Sequence, residues 1–522
     1  MKKNDIQRYE RRHGMKTLGA CLMLFIFSLL ASISPVMASD PNTEIERLKN
    51  EVKALQKIDE QRKNDMQKLL NRIDNLDKKL SEPQIKSVDT GKKETEKNGL
   101  QAGYDKGFFI KTQDDNYLLK TNVFLQFRYT NLPFDKTVNA NDEGWSNFFI
   151  RRARLYFSGN APNKDWTYYF HVQLEPQSTV NLLDGYVTWK KYPYAQIQFG
   201  RSKLPYGLEF LQSASQLNGI ERSIFSGETD IDGKDDSRKW PGGNANFQVN
   251  NEDSITKFPL GGLHLYRSQG VHLQGDINML GKDGFLQYWA GVYNGRNTKG
   301  MPNIDSQQLY VGRISINPLG KCNLLQQGDL DDSQSPKACF LISGFNNTDR
   351  LKQIRSATDG KAQSVDPYRF ENNGYDLAAI FRYKGFSVDA EYEYEKFEQK
   401  RDAGDTWDRF GYHFNVGYFI LPKKLEVVTR YAYVERMEDN DVAKSNASGL
   451  GLVSVNGGTN NAIEKNLREY SIGFNYYLYG NNIKLAVDYS YLTRDFDQVP
   501  GSKVSVDDQQ DNRVRTMVQF YF

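Results

Sequence analysis

The chain has 522 residues, with 68 Lys and Arg against 65 Asp and Glu and a formal net charge of +3. Its mean hydropathy of −0.68 excludes a helical membrane protein, which needs several apolar runs of about 20 residues, and 13 % aromatic residues exclude a disordered chain. Many Tyr, Phe and Gly at low hydropathy are typical of an outer-membrane β-barrel, because only half of each strand faces lipid.

The N-terminus predicts export. Basic residues precede an apolar run over residues 18–33, and residues 36–38 provide a small-residue cleavage site. This is the pattern of a secretory signal peptide over residues 1–38, with Met15 as an alternative start. Cleavage would leave 62 basic and 63 acidic residues. The positive charge of the chain is therefore no evidence for a nucleic-acid partner.

Residues 43–80 predict a coiled coil. Its a positions are Ile45, Val52, Asp59, Met66, Ile73 and Leu80, and its d positions are Leu48, Leu55, Arg62, Leu69 and Leu76. This stripe is too narrow for a globular core, which favours self-association over one amphipathic helix lying on another surface. β-branched residues at a and Leu at d favour two strands. The charged residues 81–103 predict a flexible linker.

From about residue 107 the hydrophobic period is two, which predicts strands with one apolar and one polar face. Sixteen such segments occur, near 116–130, 148–159, 165–175, 181–190, 194–202, 269–277, 283–293, 308–316, 338–345, 374–383, 385–396, 409–420, 423–435, 467–477, 481–494 and 511–522. Their connections alternate between short and long, which indicates a 16-stranded antiparallel transmembrane β-barrel over residues 104–522. The connection 317–337 is the exception, because it is long where a short turn is expected.

The last strand favours a membrane barrel over a soluble β-sandwich or propeller, which would explain the alternation equally well. Its apolar face ends at Phe522, the last residue. A terminal Phe preceded by alternating apolar residues resembles the assembly signal of bacterial outer-membrane proteins. The expected partners are therefore outer-membrane lipids and the barrel-assembly machinery.

Three ordered motifs carry a family resemblance. They are Phe149-Ile150-Arg151-Arg152-Ala153-Arg154-Leu155 with Gly159, then Leu183-Asp184-Gly185-Tyr186, then Gly200-Arg201-Ser202-Lys203-Leu204-Pro205-Tyr206-Gly207 followed by Glu221-Arg222-Ser223. In order and spacing the set resembles the phosphate-selective porin O and P family. The resemblance implies a 16-stranded barrel, a homotrimer and diffusion of small anionic solutes such as phosphate. It also implies that the loop 203–268, which begins at Lys203, folds into the lumen; the alternative is an exposed extracellular loop.

Strand parity predicts which charges face the lumen. Arg152 and Arg154 should face inward, where they either bind oxyanions or pair with carboxylates such as Glu175 or Asp184. Arg151 should then point outward, unless it lies at a subunit interface, a bulge or the headgroup level. The other predicted lumen cations are Lys190, Arg313, Arg382, Arg430, Lys484, Arg513 and Arg515.

Lumen acids make the predicted pore mixed in sign. They are Asp376, Asp389, Glu391, Glu393, Glu395, Glu426 and Asp488. The first strand, Asn122 to Gln126, also lacks the arginine that the family often has there. Weak anion preference is therefore expected rather than strict phosphate selectivity. The alternative is a general porin of mixed selectivity whose coiled coil tethers the envelope from the periplasm.

Catalysis has little support in the sequence. His171, His264, His272 and His413 occur in no nucleophile–base motif, so an outer-membrane hydrolase is the weakest reading. No cofactor, metal cluster or phosphate-cradling loop is recognisable. Cys322 and Cys339 are candidates for a disulfide because an exported protein reaches an oxidising compartment. Two unpaired thiols are the alternative.

Overall fold

The computed structural model describes residues 99–132, 145–175, 180–226, 265, 267–295, 307–351, 354–355, 362–363, 368–399, 406–435, 452–453, 462–499, 503 and 508–522. The predicted signal peptide and coiled coil, and the predicted linker up to residue 98, lie outside these residues. Residues 100–103 of that linker belong to a strand. No helix within the described ranges is long and apolar enough to cross a membrane.

The described chain is almost entirely β-structure. Its strands are β1 Leu100–Tyr104, β2 Phe108–Thr112, β3 Leu118–Leu132, β4 Trp145–Asn160, β5 Trp166–Glu175, β6 Asn181–Tyr192, β7 Ala195–Lys203, β8 Arg267–Met279, β9 Lys282–Asn294, β10 Gln308–Ile316, β11 Lys337–Leu351, β12 Ile354–Arg355, β13 Ala362–Gln363, β14 Tyr368–Tyr383, β15 Phe386–Gln399, β16 Thr406–Leu421, β17 Leu425–Glu435, β18 Leu452–Val453, β19 Ala462–Tyr477, β20 Ile483–Gln498 and β21 Gln509–Tyr521. One short helix, α1, covers Leu208–Leu211.

Sixteen of these strands close into an antiparallel barrel. They are β3 to β11, β14 to β17 and β19 to β21, and each pairs with the next along the chain. The barrel closes where β21 pairs with β3, from Val514 opposite Asn131 to Tyr521 opposite Phe124. Each of the sixteen predicted segments coincides with one of these strands, so the predicted barrel is confirmed. The β1–β2 hairpin continues the sheet at the start of β3.

Side chains alternate between the outside and the inside of the barrel. On β20, Leu485, Val487 and Tyr489 are exposed outward, whereas Lys484 and Asp488 are buried within. Tyrosine rings from neighbouring strands form a band on the outer face, with Tyr375–Tyr392, Tyr412–Tyr431 and Tyr431–Tyr470 centroids 6.1, 6.0 and 4.9 Å apart. An apolar outer face with an aromatic girdle is what a lipid bilayer requires of a β-barrel.

A β-bulge corrects the predicted orientation of Arg151. Gln126 lies opposite Arg152 and Phe127 lies opposite Ile150, so Arg151 is an extra residue with no partner in the register. The bulge turns Arg151 into the barrel, where it is buried. It also reverses the parity beyond it, so Phe149, expected outside, packs against the inward-facing guanidinium of Arg128 at 4.5 Å. Of the three alternatives considered for Arg151, a subunit interface, a bulge or the headgroup level, the structure shows the bulge.

The described first part of the long connection after β7 folds into the lumen. Residues 204–226, here called the inner loop, are mostly buried, as the family resemblance implied. The inner loop contacts both strands of the closing seam. Gln126 Nε2 of β3 donates to Gln519 Oε1 of β21 at 2.9 Å and to Ala214 O at 3.5 Å, and Gln519 Nε2 donates to Ser215 O at 2.9 Å.

A second segment, residues 317–336, enters the barrel from the opposite end. This turn insert connects β10 and β11 on the side of the short turns. Its Leu325 O accepts from Ser213 N of the inner loop at 2.8 Å, and its Gln327 N donates to Gln216 O at 3.0 Å. A disulfide joins Cys322 of the insert to Cys339 of the wall. The length of this connection thus reflects its path into the lumen.

The disulfide should stabilise the barrel. Replacing both Cys322 and Cys339 by Ser is expected to lower the free energy of unfolding by about 3 kcal/mol, because the bond restricts the unfolded chain. The urea midpoint of the heat-modifiable band on gels measures the effect, with reduced wild-type protein as the matched sample. An unchanged midpoint in both samples contradicts this expectation.

Candidate functional site

One carboxylate of the inner loop, Glu221, binds three arginines of the wall. Its Oε1 accepts from Arg128 Nη1 at 3.0 Å, from Arg151 Nε at 2.6 Å and from Arg152 Nη1 at 2.7 Å, and its Oε2 accepts from Arg152 Nη2 at 2.7 Å. Burial alone would raise the pKa of Glu221, but Arg151, Arg152 and Arg128 lower it to about 2. The charged carboxylate therefore anchors the inner loop, since charge-assisted bidentate bonds fix geometry strongly.

The neighbouring residues fold the inner loop on itself. Arg222 Nε donates to Glu209 O at 2.8 Å, and its guanidinium also donates to Gln212 O. The Glu209 carboxylate accepts from Ser223 N at 2.9 Å and from the hydroxyls of Ser223 and Ser226 at 2.6 Å. Glu221-Arg222-Ser223, which carried part of the family resemblance, therefore shapes the inner loop and attaches it to the wall.

A cavity of about 370 Å³ lies between the inner loop and the wall strands β4 to β10. Its charged lining is mainly positive. The cations are Arg154, Lys203, Arg222, Arg267 and Arg313, and the one carboxylate within the described lining is Asp184. Tyr156, Tyr169, Tyr186 and Trp289 supply aromatic surface. Clustered positive charge in a confined, low-dielectric lumen attracts anions.

Besides Arg222, three more of the cavity cations donate to protein acceptors. Arg154 donates from Nε and Nη2 to Gln173 Oε1 at 3.0 and 2.7 Å. Lys203 Nζ donates to three backbone carbonyls of the inner loop, the shortest bond being 2.6 Å to Phe210 O. Arg267 Nε donates to Asp184 Oδ1 at 2.8 Å. These side chains set the shape and field of the cavity.

Arg313 differs from its neighbours. Its guanidinium carbon lies 4.1 Å from the centre of the Trp289 ring, and the residue is only 7 % exposed. Among the described residues, Arg313 Nε and Nη1 have no hydrogen-bond acceptor. A buried donor without an acceptor costs about 1–3 kcal/mol, so these groups are suited to a bound solute or water.

Asp184 has two partners in the structure. Besides Arg267, its Oδ2 lies 2.8 Å from His171 Nδ1. Arg152, for which Asp184 was one expected partner, is bound by Glu221. The carboxylate partner of Arg152 thus comes from the inner loop rather than from the wall, where it was expected.

The remaining predicted lumen arginines lie inside the barrel but in ion pairs away from the cavity. Arg382 Nη2 lies 2.6 Å from Asp389 Oδ1, and Arg515 Nη2 lies 2.5 Å from Asp488 Oδ2. Arg430 and Arg513 share Glu469, at 3.5 and 3.6 Å. Lys484 Nζ donates to Leu217 O at 2.5 Å. Lys190, another predicted lumen cation, is exposed near the end of β6. This side of the lumen is therefore a structural network.

Sequence reasoning missed several residues of the site. Arg267 and His272 lie at the start of β8 and in its middle, and Trp289 lies on β9. Strand parity could have found them, because all three occupy inward positions of their strands. Parity does not show which inward residues line a cavity. Arg267 also falls just outside the segment predicted for that strand.

A sixteen-stranded barrel with an apolar outer face and a charged lumen narrowed by an inner loop defines a porin, a channel for small hydrophilic solutes in the outer membrane. The phosphate-selective porin O and P family model matches residues 119–261 and 350–522. Because the match covers more than half of the chain, the protein belongs to the phosphate-selective porin O and P family.

Solved porin and channel structures resemble the chain at low identity. The outer membrane channel DcaP of Acinetobacter baumannii is 14 % identical with a TM-score of 0.46, covering 79 % of this chain and 99 % of that one. An anion-selective porin from Comamonas acidovorans is 11 % identical with a TM-score of 0.47, covering 77 % and 99 %. The trimer form of Vibrio cholerae OmpT is 11 % identical with a TM-score of 0.46, covering 78 % and 100 %. No curated protein sequence matches the chain significantly.

The anchor of the inner loop can be tested at Glu221. Glu221→Gln removes the charge shared by three buried arginines, so the free energy of unfolding should fall by about 3–5 kcal/mol. The freed loop should also raise the single-channel conductance in planar bilayers. Glu175→Gln, which neutralises an exposed carboxylate at the end of β5, should leave both quantities unchanged. If Glu221→Gln behaves like this control, the loop is held by other contacts.

Proposed function

We propose that this porin passes small anions, phosphate among them, and that Arg313 is the residue that contacts them in the cavity. The observation that carries the proposal is the pair of unpartnered Arg313 donors in a cavity with one carboxylate among its described charged residues. The anion replaces the acceptors that the protein itself does not provide. Small oxyanions fit because a guanidinium offers a planar fork of donors that matches their oxygens.

Trp289 supports this role of Arg313. The indole face beneath the guanidinium stabilises the cation and fixes its plane. A fixed plane keeps the unpartnered donors available without the entropy cost of ordering a long side chain. Arg313 is therefore prepared for an anion before the anion arrives.

The preference for anions should be modest. Asp184 lies in the cavity lining, and the buried carboxylates Asp376 and Glu391 interact electrostatically with Arg313. At the position where the family often has an arginine, β3 carries Phe124, and the nearby Gln126 bonds Arg152 and Gln519. We therefore infer a general anion bias rather than strict selection of phosphate.

Arg313 can be tested by its effect on phosphate block of chloride current. Bonds from a charged donor contribute about 1.5–3 kcal/mol, so Arg313→Gln should weaken the block about ten- to a hundredfold. The reversal potential in a KCl gradient should also move towards cations. Arg313→Lys keeps the charge but loses the fork, so it should retain the reversal potential and still weaken the block.

The matched comparison is Arg154→Gln, which removes the same charge from a cavity arginine that is bonded to Gln173. Its effect on the block should be smaller. An equal effect would assign the block to the general field of the cavity and not to Arg313. A wild-type current carried mainly by cations would overturn the anion proposal itself.

We further propose that the porin is a homotrimer positioned by residues 43–80. Support comes from the heptad pattern of that segment, although its a and d residues favour two strands. We expect native mass spectrometry to give the mass of a trimer. Deleting residues 43–80 should lower the midpoint temperature at which that trimer dissociates. A trimer of unchanged mass and midpoint favours the tether role instead. A dimeric or monomeric full-length protein contradicts the trimer.

A further inference from the structure

Three carboxylates converge on the inner surface of the barrel outside the cavity described above. They are Asp376 of β14 and Glu391 and Glu393 of β15, and one oxygen of each lies within 4.8 Å of the other two. All three residues are at most 1 % exposed. Asp376 and Glu393 are direct cross-strand partners, so the register of the wall itself brings them together.

Part of this cluster is bonded to the protein. Glu391 accepts from the backbone N–H groups of Leu208 and Glu209, the latter at 2.8 Å, and from His413 Nε2 at 2.9 Å. Asp376 Oδ2 accepts from the hydroxyl of Ser343 at 2.8 Å. These bonds connect the cluster to the inner loop on one side and to β11 on the other.

Two oxygens of the cluster have no donor. Among the described residues, Asp376 Oδ1 and Glu393 Oε1 are buried without a hydrogen-bond partner. A Cβ added to Gly207 would lie 2.7 Å from Glu393 Oε1 and 3.6 Å from Glu391 Oε1, so both oxygens face the same point of the inner loop. The unpartnered Glu393 Oε1 therefore lies in the space between the cluster and the inner loop.

Other acids on the same strand are treated differently. Asp389 is paired with Arg382 at 2.6 Å, and Glu395 is paired with Arg409. Arg313 interacts electrostatically with Asp376 and Glu391, but its Nε and Nη1 donate to neither. Along β15, Glu393 thus lies between Asp389 and Glu395, which are each paired with an arginine. Glu393 Oε1 itself has no guanidinium bonded to it.

Buried carboxylate oxygens that face one another without donors repel unless a cation or a shared proton compensates them. Divalent calcium takes six to eight oxygen ligands, with carboxylates and waters in flexible geometry. We propose that Asp376, Glu391 and Glu393 bind a divalent cation of the calcium type. The ion joins the barrel wall to the inner loop at Gly207 and Leu208, and it offsets negative charge beside Arg313.

Calcium binding to the full-length protein tests this site directly. Protein in detergent is stripped with EDTA and titrated with CaCl₂ by calorimetry, and its thermal midpoint is recorded with and without the ion. We expect saturable binding of one ion per chain and a higher midpoint in calcium. Asp376→Asn and Glu393→Gln should each weaken binding at least tenfold and reduce the calcium-dependent shift.

Two comparisons keep the test decisive. Glu175→Gln, which alters an exposed carboxylate, should bind calcium as the wild type does. Both cluster variants relieve repulsion, so without calcium they should be at least as stable as the wild type, which separates lost binding from misfolding. Absence of saturable binding, or wild-type binding by the double variant, overturns the proposal. A midpoint that depends on pH but not on calcium also overturns it, because the carboxylates then share a proton.

The cation site stands apart from the proposed anion function. Arg313→Gln should leave calcium affinity within a fewfold of the wild type, since Arg313 is not one of the ligands. Loss of phosphate block with intact calcium binding therefore contradicts neither proposal. Calcium binding in a channel that prefers cations would retain the metal site and remove the anion proposal.

Discussion

The structure depends on one constraint: each backbone N–H and C=O inside the hydrocarbon needs a partner within the wall, because lipid offers none. The sixteen strands satisfy it by closing through the pairing of β21 with β3. Closure forces alternate side chains to opposite sides, so charged residues of the wall are directed inward. The chemistry of the channel therefore depends on the lumen, where many charged side chains are buried close together.

The buried charges of the lumen are stabilised in two different ways. Near β14 to β21, charges are neutralised in pairs such as Arg515 with Asp488 and Arg382 with Asp389. Near β4 to β10, cations surround a cavity and are held mainly by neutral carbonyl and amide oxygens, as at Lys203 and Arg154. An amide acceptor orients a cation without cancelling its charge. The positive field of the cavity thus survives the satisfaction of its hydrogen bonds.

The fold was accessible from the sequence because membrane strands must alternate, and alternation is visible in residue identity. Parity also placed Arg313, Arg382 and Arg515 inside the barrel. It failed at Arg151, because one inserted residue changes the phase without changing the composition. The binding of Glu221 to Arg128 and Arg152 joins residues 93 and 69 positions apart, and no local pattern encodes such a contact.

The turn insert illustrates the same limit from another direction. Its unusual length was visible beforehand, but its path was not, because that path is set by backbone bonds to Ser213 and Gln216. Length indicated that the connection is not an ordinary turn. Where it lies depends on a loop that is itself placed by distant residues of the wall.

The contact between the inner loop and the seam has a consequence for biogenesis. Gln126 and Gln519 come from the first and last barrel strands, 393 positions apart, and both donate to the same short stretch of carbonyls at Ala214 and Ser215. In a barrel sealed without the loop, these amides would bond water in place of those carbonyls and would lose the contact that joins the loop to both strands. Insertion of the loop and sealing of the wall are thereby thermodynamically coupled, so an unfilled, overly permeable pore is disfavoured as an end product of assembly.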